Sequence, residues 1–296
     1  MHYTGTIFRP PYEAGSLLLQ VTTGCSHNSC RFCTMYRDVE FAVSPMSEVK
    51  ADIAEAASRR PTFQRAFLLN GNAFCLPADH LLEIADELYR SFDYLTSIGC
   101  YGTVNDIAGK SDDDLRRLAK AGFSEVNFGL ESGMDSVLAY MNKGYDARTA
   151  REQFGRLRES GMKFSVNIIN AAAGPDLLHE HARVNAQMVT DIKPSLLFVS
   201  PLHIDAGSEL ESEVESGAFE ECTLGQYIEE EIELIEGIET RGCYLYGEHV
   251  SNPIPVSGWA VEDKAFLLDR LRKGMSLISR ERLDSHPSKG SEGRLR

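Results

Sequence analysis

The sequence predicts an α/β protein built from six strand–helix units, and three observations carry that expectation. Short apolar runs alternate with longer amphipathic segments, and Ser, Pro and Gly punctuate the boundaries between them. The 296 residues suit either about two domains or one barrel-sized domain with an appended segment. The first unit pairs a strand over Ser16–Val21 with a helix over Ser44–Arg59, where Pro45 sits in the first turn. Strand Ala66–Asn70 precedes helix Pro77–Arg90, and strand Leu95–Tyr101 precedes a helix capped by Ser111 and stopped by Gly122. Strand Glu125–Gly129 leads into helices near Met134–Tyr140 and Ala147–Ser160. Strand Lys163–Asn170 is followed by helix His179–Ile192, and strand Leu196–Pro201 by a helix around Ser208–Glu215. Strands separated by helices of this length pair in parallel through right-handed crossovers, as an open doubly wound sheet or as a partial barrel.

Residues 1–217 are thus expected to hold the repeating units. An extension over 218–284 follows, with a helix at Leu224–Glu239, a short apolar piece at Cys243–Tyr246, a Pro-interrupted loop at His249–Gly258 and a last helix at Val261–Leu271. Residues 285–296, rich in Ser, Gly and charge, read as a disordered tail.

Composition narrows the function. The 44 acidic side chains outnumber the 30 basic ones, for a net charge of −14. Such a surface repels phosphate, which argues against nucleic acid and against an anionic membrane as partner. No stretch approaches the roughly 18 consecutive apolar residues of a membrane helix, and the N-terminus lacks a signal pattern, so a soluble cytoplasmic protein is expected. Seven cysteines, three of them within nine residues, suit a metal or cluster site in a reducing compartment better than disulfides.

Those three cysteines stand directly after the first strand, in Thr23-Gly-Cys25-Ser-His-Asn-Ser-Cys30-Arg-Phe-Cys33-Thr-Met-Tyr36. A CX4CX2C loop can aim three soft thiolates at one metal centre, and iron–sulfur clusters are held by cysteine thiolates. Three ligands for four irons leave one iron open, at the strand end where parallel α/β folds bind ligands. The competing reading is a zinc site made of the same thiolates plus His27.

The loop resembles that of the radical S-adenosylmethionine (SAM) superfamily, whose usual spacing is CX3CX2C with an aromatic residue before the third cysteine, here Phe32. This loop is one residue longer. Gly129-Leu-Glu131-Ser-Gly133 and Met141-Asn-Lys143-Gly144 resemble segments of methylthiotransferase-type and coproporphyrinogen-oxidase-like members. Arg9-Pro-Pro11, His249-Val-Ser-Asn252 and Glu262-Asp-Lys264 extend the resemblance to a group of single-domain Fe-S oxidoreductases. The resemblance implies a partial (β/α)6 TIM-like barrel with a C-terminal helical extension over its mouth. It also implies a 4Fe-4S cluster on Cys25, Cys30 and Cys33, with SAM on the open iron. Reductive cleavage of SAM would give a 5′-deoxyadenosyl radical that acts on an organic substrate, with electrons from a low-potential donor such as flavodoxin or ferredoxin.

Residue roles follow from motif position. Phe32 lines the adenine or packs under the loop. Asn70, Gly71 and Asn72 occupy the place of a Gly-Gly-Glu-like stretch that binds the SAM amino group, without its carboxylate; an Asn-Gly turn is the plainer reading. Glu131, with Ser132 beside it, would accept from the ribose hydroxyls, or would simply be a carboxylate at a helix N-terminus. Lys143 would pair with the methionyl carboxylate, or be a solvated cation. Asn170 opens a run of small residues, through Gly174, that permits close approach of the adenine. Tyr101, His203 and His249 are the catalytic candidates, with Asn105, Asn167, Asp205, Glu248 and Asn252 as further polar groups for a small-molecule substrate. Cys100 and Cys243 are possible hydrogen donors, and no second cysteine knuckle remains. A radical RNA-modifying enzyme and a non-catalytic haem- or metal-carrying relative are the alternatives; the acidic stretch Glu220–Glu239 argues against the first.

Overall fold

Apolar runs without alternation are what strands buried on both faces require, and the computed structural model places them in one mostly parallel sheet. The structure describes residues 1–59 and 62–287. In chain order the elements begin with β1 (Leu17–Leu19), β2 (Thr22–Thr23), β3 (Ala42–Val43), α1 (Met46–Ser58), β4 (Arg65–Leu68) and α2 (Ala78–Ser91). They continue with β5 (Ser97–Gly102), α3 (Val104–Ala108), α4 (Asp112–Lys120), β6 (Val126–Glu131), α5 (Asp135–Tyr140), α6 (Ala147–Glu159) and β7 (Phe164–Asn170). The last are α7 (Leu178–Ile192), β8 (Leu196–Pro201), α8 (Glu209–Ser216), α9 (Leu224–Gly237), β9 (Tyr244–Gly247), β10 (Val256–Trp259), α10 (Lys264–Leu277) and α11 (Arg280–Leu283). The sheet order is β1-β4-β5-β6-β7-β8-β9-β10, with β2 and β3 as a separate antiparallel ribbon. The α/β class and all six expected strand–helix units are present.

The chain divides into two compact units. The first comprises Met1–Asn28, Met35–Gly129 and Glu152–Ser165; the second comprises Ser29–Thr34, Leu130–Arg151 and Val166–Arg296.

In the first unit β1 pairs parallel to β4, with Leu17 opposite Ala66, and β4 pairs parallel to β5, with Leu68 opposite Cys100. Helix α1 buries Val49, Ile53 and Ala56, and α2 buries Leu81, Ile84, Ala85 and Leu88. This i, i+3, i+4, i+7 spacing forms one apolar stripe per helix. Edge-to-face contacts join Phe128 to Phe74, Phe154 and Phe164 at centroid separations of 5.6, 5.6 and 6.5 Å. Each such ring, fully buried, contributes on the order of 2–3 kcal/mol of transfer free energy. Helix α4 starts at the Ser111 cap that the sequence predicts, within a capping box in which the Ser111 side chain accepts from Asp114 N and Asp114 returns the bond.

In the second unit β8 pairs parallel to β9, and β10 runs antiparallel to β9, with Val256 opposite Gly247. The extension expected to be helical therefore adds two strands. The Cys243–Tyr246 piece is β9, one residue displaced, and the end of the His249–Gly258 loop is β10. The helix expected at Val261–Leu271 is α10, which begins at Lys264, after Asp263 has accepted from Trp259 N at 2.8 Å, and runs to Leu277; the short α11, not expected from the sequence, follows it. Met134, Val137, Met141, Leu178, Leu202, Leu210 and Tyr227 share one apolar cluster. Of the expected tail, residues 288–296 lie outside the described residues.

Candidate active site

Three parallel strands finish in the left-handed region at residues that have a Cβ: Asn70 after β4 (φ 71°), Glu131 ending β6 (φ 66°) and Ala171 after β7 (φ 64°). An L-residue there costs on the order of 1–2 kcal/mol. Such strain concentrates at functional sites and persists where surrounding contacts over-determine it.

In the first unit the contacts at Asn70 are explicit. Its amide Nδ2 donates to Thr22 O at 3.0 Å, while the buried Oδ1 has no hydrogen-bond partner. Gly71 N donates to Gly24 O at 3.1 Å, and a Cβ built on Gly71 would stand 2.5 Å from Cys25 Cα. Only glycine allows the cysteine loop to approach this closely. The Asn72 side chain is fully engaged: Oδ1 accepts from Ser26 N at 2.9 Å, and Nδ2 donates to Ser26 Oγ at 2.7 Å and to Asp106 at 2.9 Å. Asn72 therefore fastens the residue after Cys25 to the start of α3, and the atom left unpartnered is on Asn70. Burial raises the Asp106 carboxyl despite its bonds to Asn72 and Thr103, and burial together with Asp106 pushes the Cys75 thiol up to about 11. Tyr101 is held edge-on to Phe67 at 5.2 Å, and burial drives its phenol well above the usual range.

In the second unit the remaining loop residues are tied down from several directions. Arg31 N donates to Met141 O at 3.3 Å, Asn142 Nδ2 to Ser29 O at 2.8 Å, and Leu210 N to Arg31 O at 3.4 Å. Thr34 donates through N and Oγ1 to one Asp205 oxygen at 3.2 and 3.0 Å, and Arg31 pairs with Glu213 at 3.0 Å. Lys143 is buried, not a solvated cation. Its Nζ lies 3.1 Å from Glu131 Oε1, 4.0 Å from Cys30 Sγ and 5.9 Å from the centre of the Phe32 ring. Burial opposes the ammonium, yet Glu131, Tyr145 and Cys30 outweigh it and raise the Lys143 pKa. Glu131 Oε2 accepts from Asn167 Nδ2 at 2.7 Å, whereas the buried Oδ1 atoms of Asn167 and Asn170 have no partner. Burial raises the Cys30 thiol, with Lys143 pulling it down and Glu131 up. A lysine within reach of a sulfur favours the thiolate that a metal needs.

Ser132 points elsewhere: its Oγ bonds His181 Nε2 at 2.8 Å and accepts from Met134 N at 3.0 Å. His203 stands 3.4 Å from Asp205, the residue that holds Thr34. His249 bonds Ser251 at 2.6 Å and lies edge-on to Phe198, and burial with the nearby His203 lowers its pKa. The network of His181, Asn185 and Glu230 escaped sequence reasoning, because a histidine and a glutamate on separate amphipathic helices carry no motif. Among the described residues none of the seven cysteines forms a disulfide, no His, Cys, Asp or Glu group of three or more is gathered in metal-holding geometry, and no helix is long and apolar enough to cross a membrane.

A search of the curated proteins finds no match. Among solved structures the chain is similar to methylornithine synthase (PylB), with a TM-score of 0.56 and 12% identity over 95% of this chain and 77% of that one. It is similar to Methanocaldococcus infernus Elp3, with a TM-score of 0.55 and 13% identity over 91% and 64%. It is also similar to the Kitasatospora setae radical SAM methyltransferase TsrM, solved with cobalamin and a 4Fe-4S cluster bound, with a TM-score of 0.54 and 17% identity over 69% and 40%. The chain thus spans under two-thirds of the length of two of these three, and at such identities the likeness is one of fold. A comparison with known families matches residues 19–177, more than half of the chain, to the radical SAM superfamily. With that match added to the cysteine loop and the strained strand ends, the chain belongs to the radical SAM superfamily of enzymes, whose cofactors are a 4Fe-4S cluster and SAM.

Proposed function

We propose that this protein reductively cleaves SAM at a 4Fe-4S cluster and uses the radical on a small or medium organic substrate. The observation that carries the reading is the second-unit constellation of Cys30, Phe32, Glu131 and Lys143, a thiol, an aromatic ring, a carboxyl and a buried cation in which the cysteine loop meets two motifs about a hundred residues further along the chain.

The chain's own residues fit these cofactors. Three thiols of one loop, outside any disulfide, are the soft donor set that iron–sulfur clusters take. Cys25, Cys30 and Cys33 would hold the cluster. The unpartnered oxygens of Asn70, Asn167 and Asn170 are acceptors awaiting donors, and buried acceptors are rarely left unpaired. SAM offers an ammonium, two ribose hydroxyls and an adenine amine. Asn70, beside Gly71 and Asn72, would accept from the ammonium; Glu131 and Asn167 would accept from the hydroxyls; Asn170 would face the adenine. Phe32 would line the adenine, Ser132 would set the direction of Glu131, and Lys143 would turn from Glu131 to the methionyl carboxylate. Bound together, cluster and SAM supply one-electron chemistry. Tyr101, His203 and His249 would serve the substrate, His203 as a proton carrier oriented by Asp205. A low-potential flavodoxin or ferredoxin would supply electrons in the cytoplasm.

Anaerobic reconstitution with iron and sulfide, followed by dithionite, SAM and mass-spectrometric detection of 5′-deoxyadenosine, tests the reading. Product formed by the wild type and lost in Cys33→Ala is expected. Stoichiometric zinc with no iron uptake would overturn it.

A further inference from the structure

Two of the strained strand ends meet in one buried hydrogen-bond relay that begins on α9, in the C-terminal segment. Glu230 Oε2 accepts from Ala171 N at 2.5 Å, at the first residue after β7. Its Oε1 lies 2.5 Å from His181 Nδ1 on α7, and His181 Nε2 lies 2.8 Å from Ser132 Oγ, next to Glu131. Asn185 on α7, with Nδ2 3.1 Å from His181 Nε2, accepts from Gly133 N at 2.6 Å. Glu230, His181, Asn185 and Ser132 are all inaccessible to solvent.

We infer that Glu230 is a positioning residue for SAM: from α9 it fixes the backbone of Ala171 directly and the Glu131–Gly133 segment through His181. The inference rests on the proposed radical SAM function. A residue with a Cβ returns to ordinary backbone angles unless something holds it, and a hydrogen bond from its own N–H to a buried carboxyl does so. Glu131 carries the group meant for ribose, so an error in its backbone moves an acceptor by a large fraction of a hydrogen-bond length. The relay touches neither thiol nor nucleoside; it acts by setting the groups that would.

The neighbouring Glu231 provides a control on the same helix. It is as deeply buried, and its Oε1 bonds nothing. Wild type, Glu230→Gln and Glu231→Gln full-length proteins are compared twice. The first comparison is hydrogen–deuterium exchange of the cluster-free protein over peptides 130–134 and 168–174. The second is SAM binding by equilibrium dialysis to protein reconstituted to equal iron content. Glu230→Gln is expected to speed exchange in both peptides and to weaken SAM binding about tenfold, raising KM for SAM more than it lowers kcat. Glu231→Gln is expected to change neither. Equal SAM affinity in wild type and Glu230→Gln, or an equal loss in Glu231→Gln, overturns the inference. If Glu230→Gln does not fold, Ser132→Ala breaks the relay at its other end: faster exchange confined to 130–134 with weaker SAM binding supports the inference, and unchanged behaviour overturns it. Wild type that carries a full cluster and binds no SAM overturns the functional reading itself, whereas normal wild-type binding that is insensitive to Glu230→Gln overturns this inference alone.

Discussion

Lys143 and Glu131 form the pair on which most of the residue-scale chemistry turns. Both side chains are less than a tenth exposed, and their 3.1 Å contact is supplemented by Asn167 on the other carboxyl oxygen. Removing one member of a buried pair strands the other charge in low dielectric and typically costs about 3–5 kcal/mol, whereas removing both is far milder. Lys143→Met is therefore expected to lower the unfolding free energy of cluster-free protein by about 3 kcal/mol or more, and Lys143→Met/Glu131→Gln to restore much of it. Urea unfolding of the four proteins measures the cycle, and a double-variant cost equal to the sum of the two single-variant costs would show that the pair is not coupled. Motif position had pointed to both residues as partners of SAM; that they partner each other in the protein alone was invisible, because sequence spacing says nothing of a contact across twelve residues of turn and helix. Gly71 shows the reverse: an Asn-Gly turn explained it well enough from sequence, and only the 2.5 Å approach of Cys25 gives the stronger reason.

At the scale of elements, the caps were the most legible feature and the C-terminal hairpin the least. The Ser111 cap and the strand at Leu196–Pro201 stand where capping and hydropathy rules put them, since local signals decide those boundaries. β9 and β10 are harder to read: Tyr244–Gly247 and Val256–Trp259 are four residues each, the first ending in Gly247 and the second interrupted by Gly258 after Pro255, and they become strands through pairing with β8 and with each other. The small strands β2 and β3 were lost for the same reason. Helix α9, which carries Glu230, begins with a capping box: Thr223 Oγ1 accepts from Gln226 N at 3.3 Å, and Thr223 N donates to Gln226 Oε1 at 2.8 Å. Thr223→Ala should cost about 1 kcal/mol and Thr223→Ser little, read as a shift in denaturation midpoint at constant slope. A loss in Thr223→Ser as large as in Thr223→Ala would deny the cap its role.

For the molecule as a whole, the largest electrostatic question is how a chain of net charge −14 tolerates adjacent buried carboxyls on α9. Glu230 is bonded on both oxygens, but Glu231 Oε1 has no partner, and burial together with the neighbouring Glu230 pushes the Glu231 carboxyl up to about 8 from an ordinary 4.5. Between those values the folded protein keeps a proton that the unfolded chain has released. Stability is then fully present below about pH 4.5 and falls as the pH rises through about 8. Other groups act in the opposite sense: the half-buried carboxyls of Glu55, Asp114 and Asp146, lowered by hydrogen bonds, contribute stability that is lost as the pH falls below their usual range, and the lowered His249 acts the same way as it charges. The difference between wild type and Glu231→Gln cancels these and isolates the one site. The glutamine variant should gain on the wild type steadily from pH 5 to pH 8.5, its melting temperature rising relative to the wild type across that interval. A difference that stays constant with pH would mean that Glu231 ionises in the fold as it does in water.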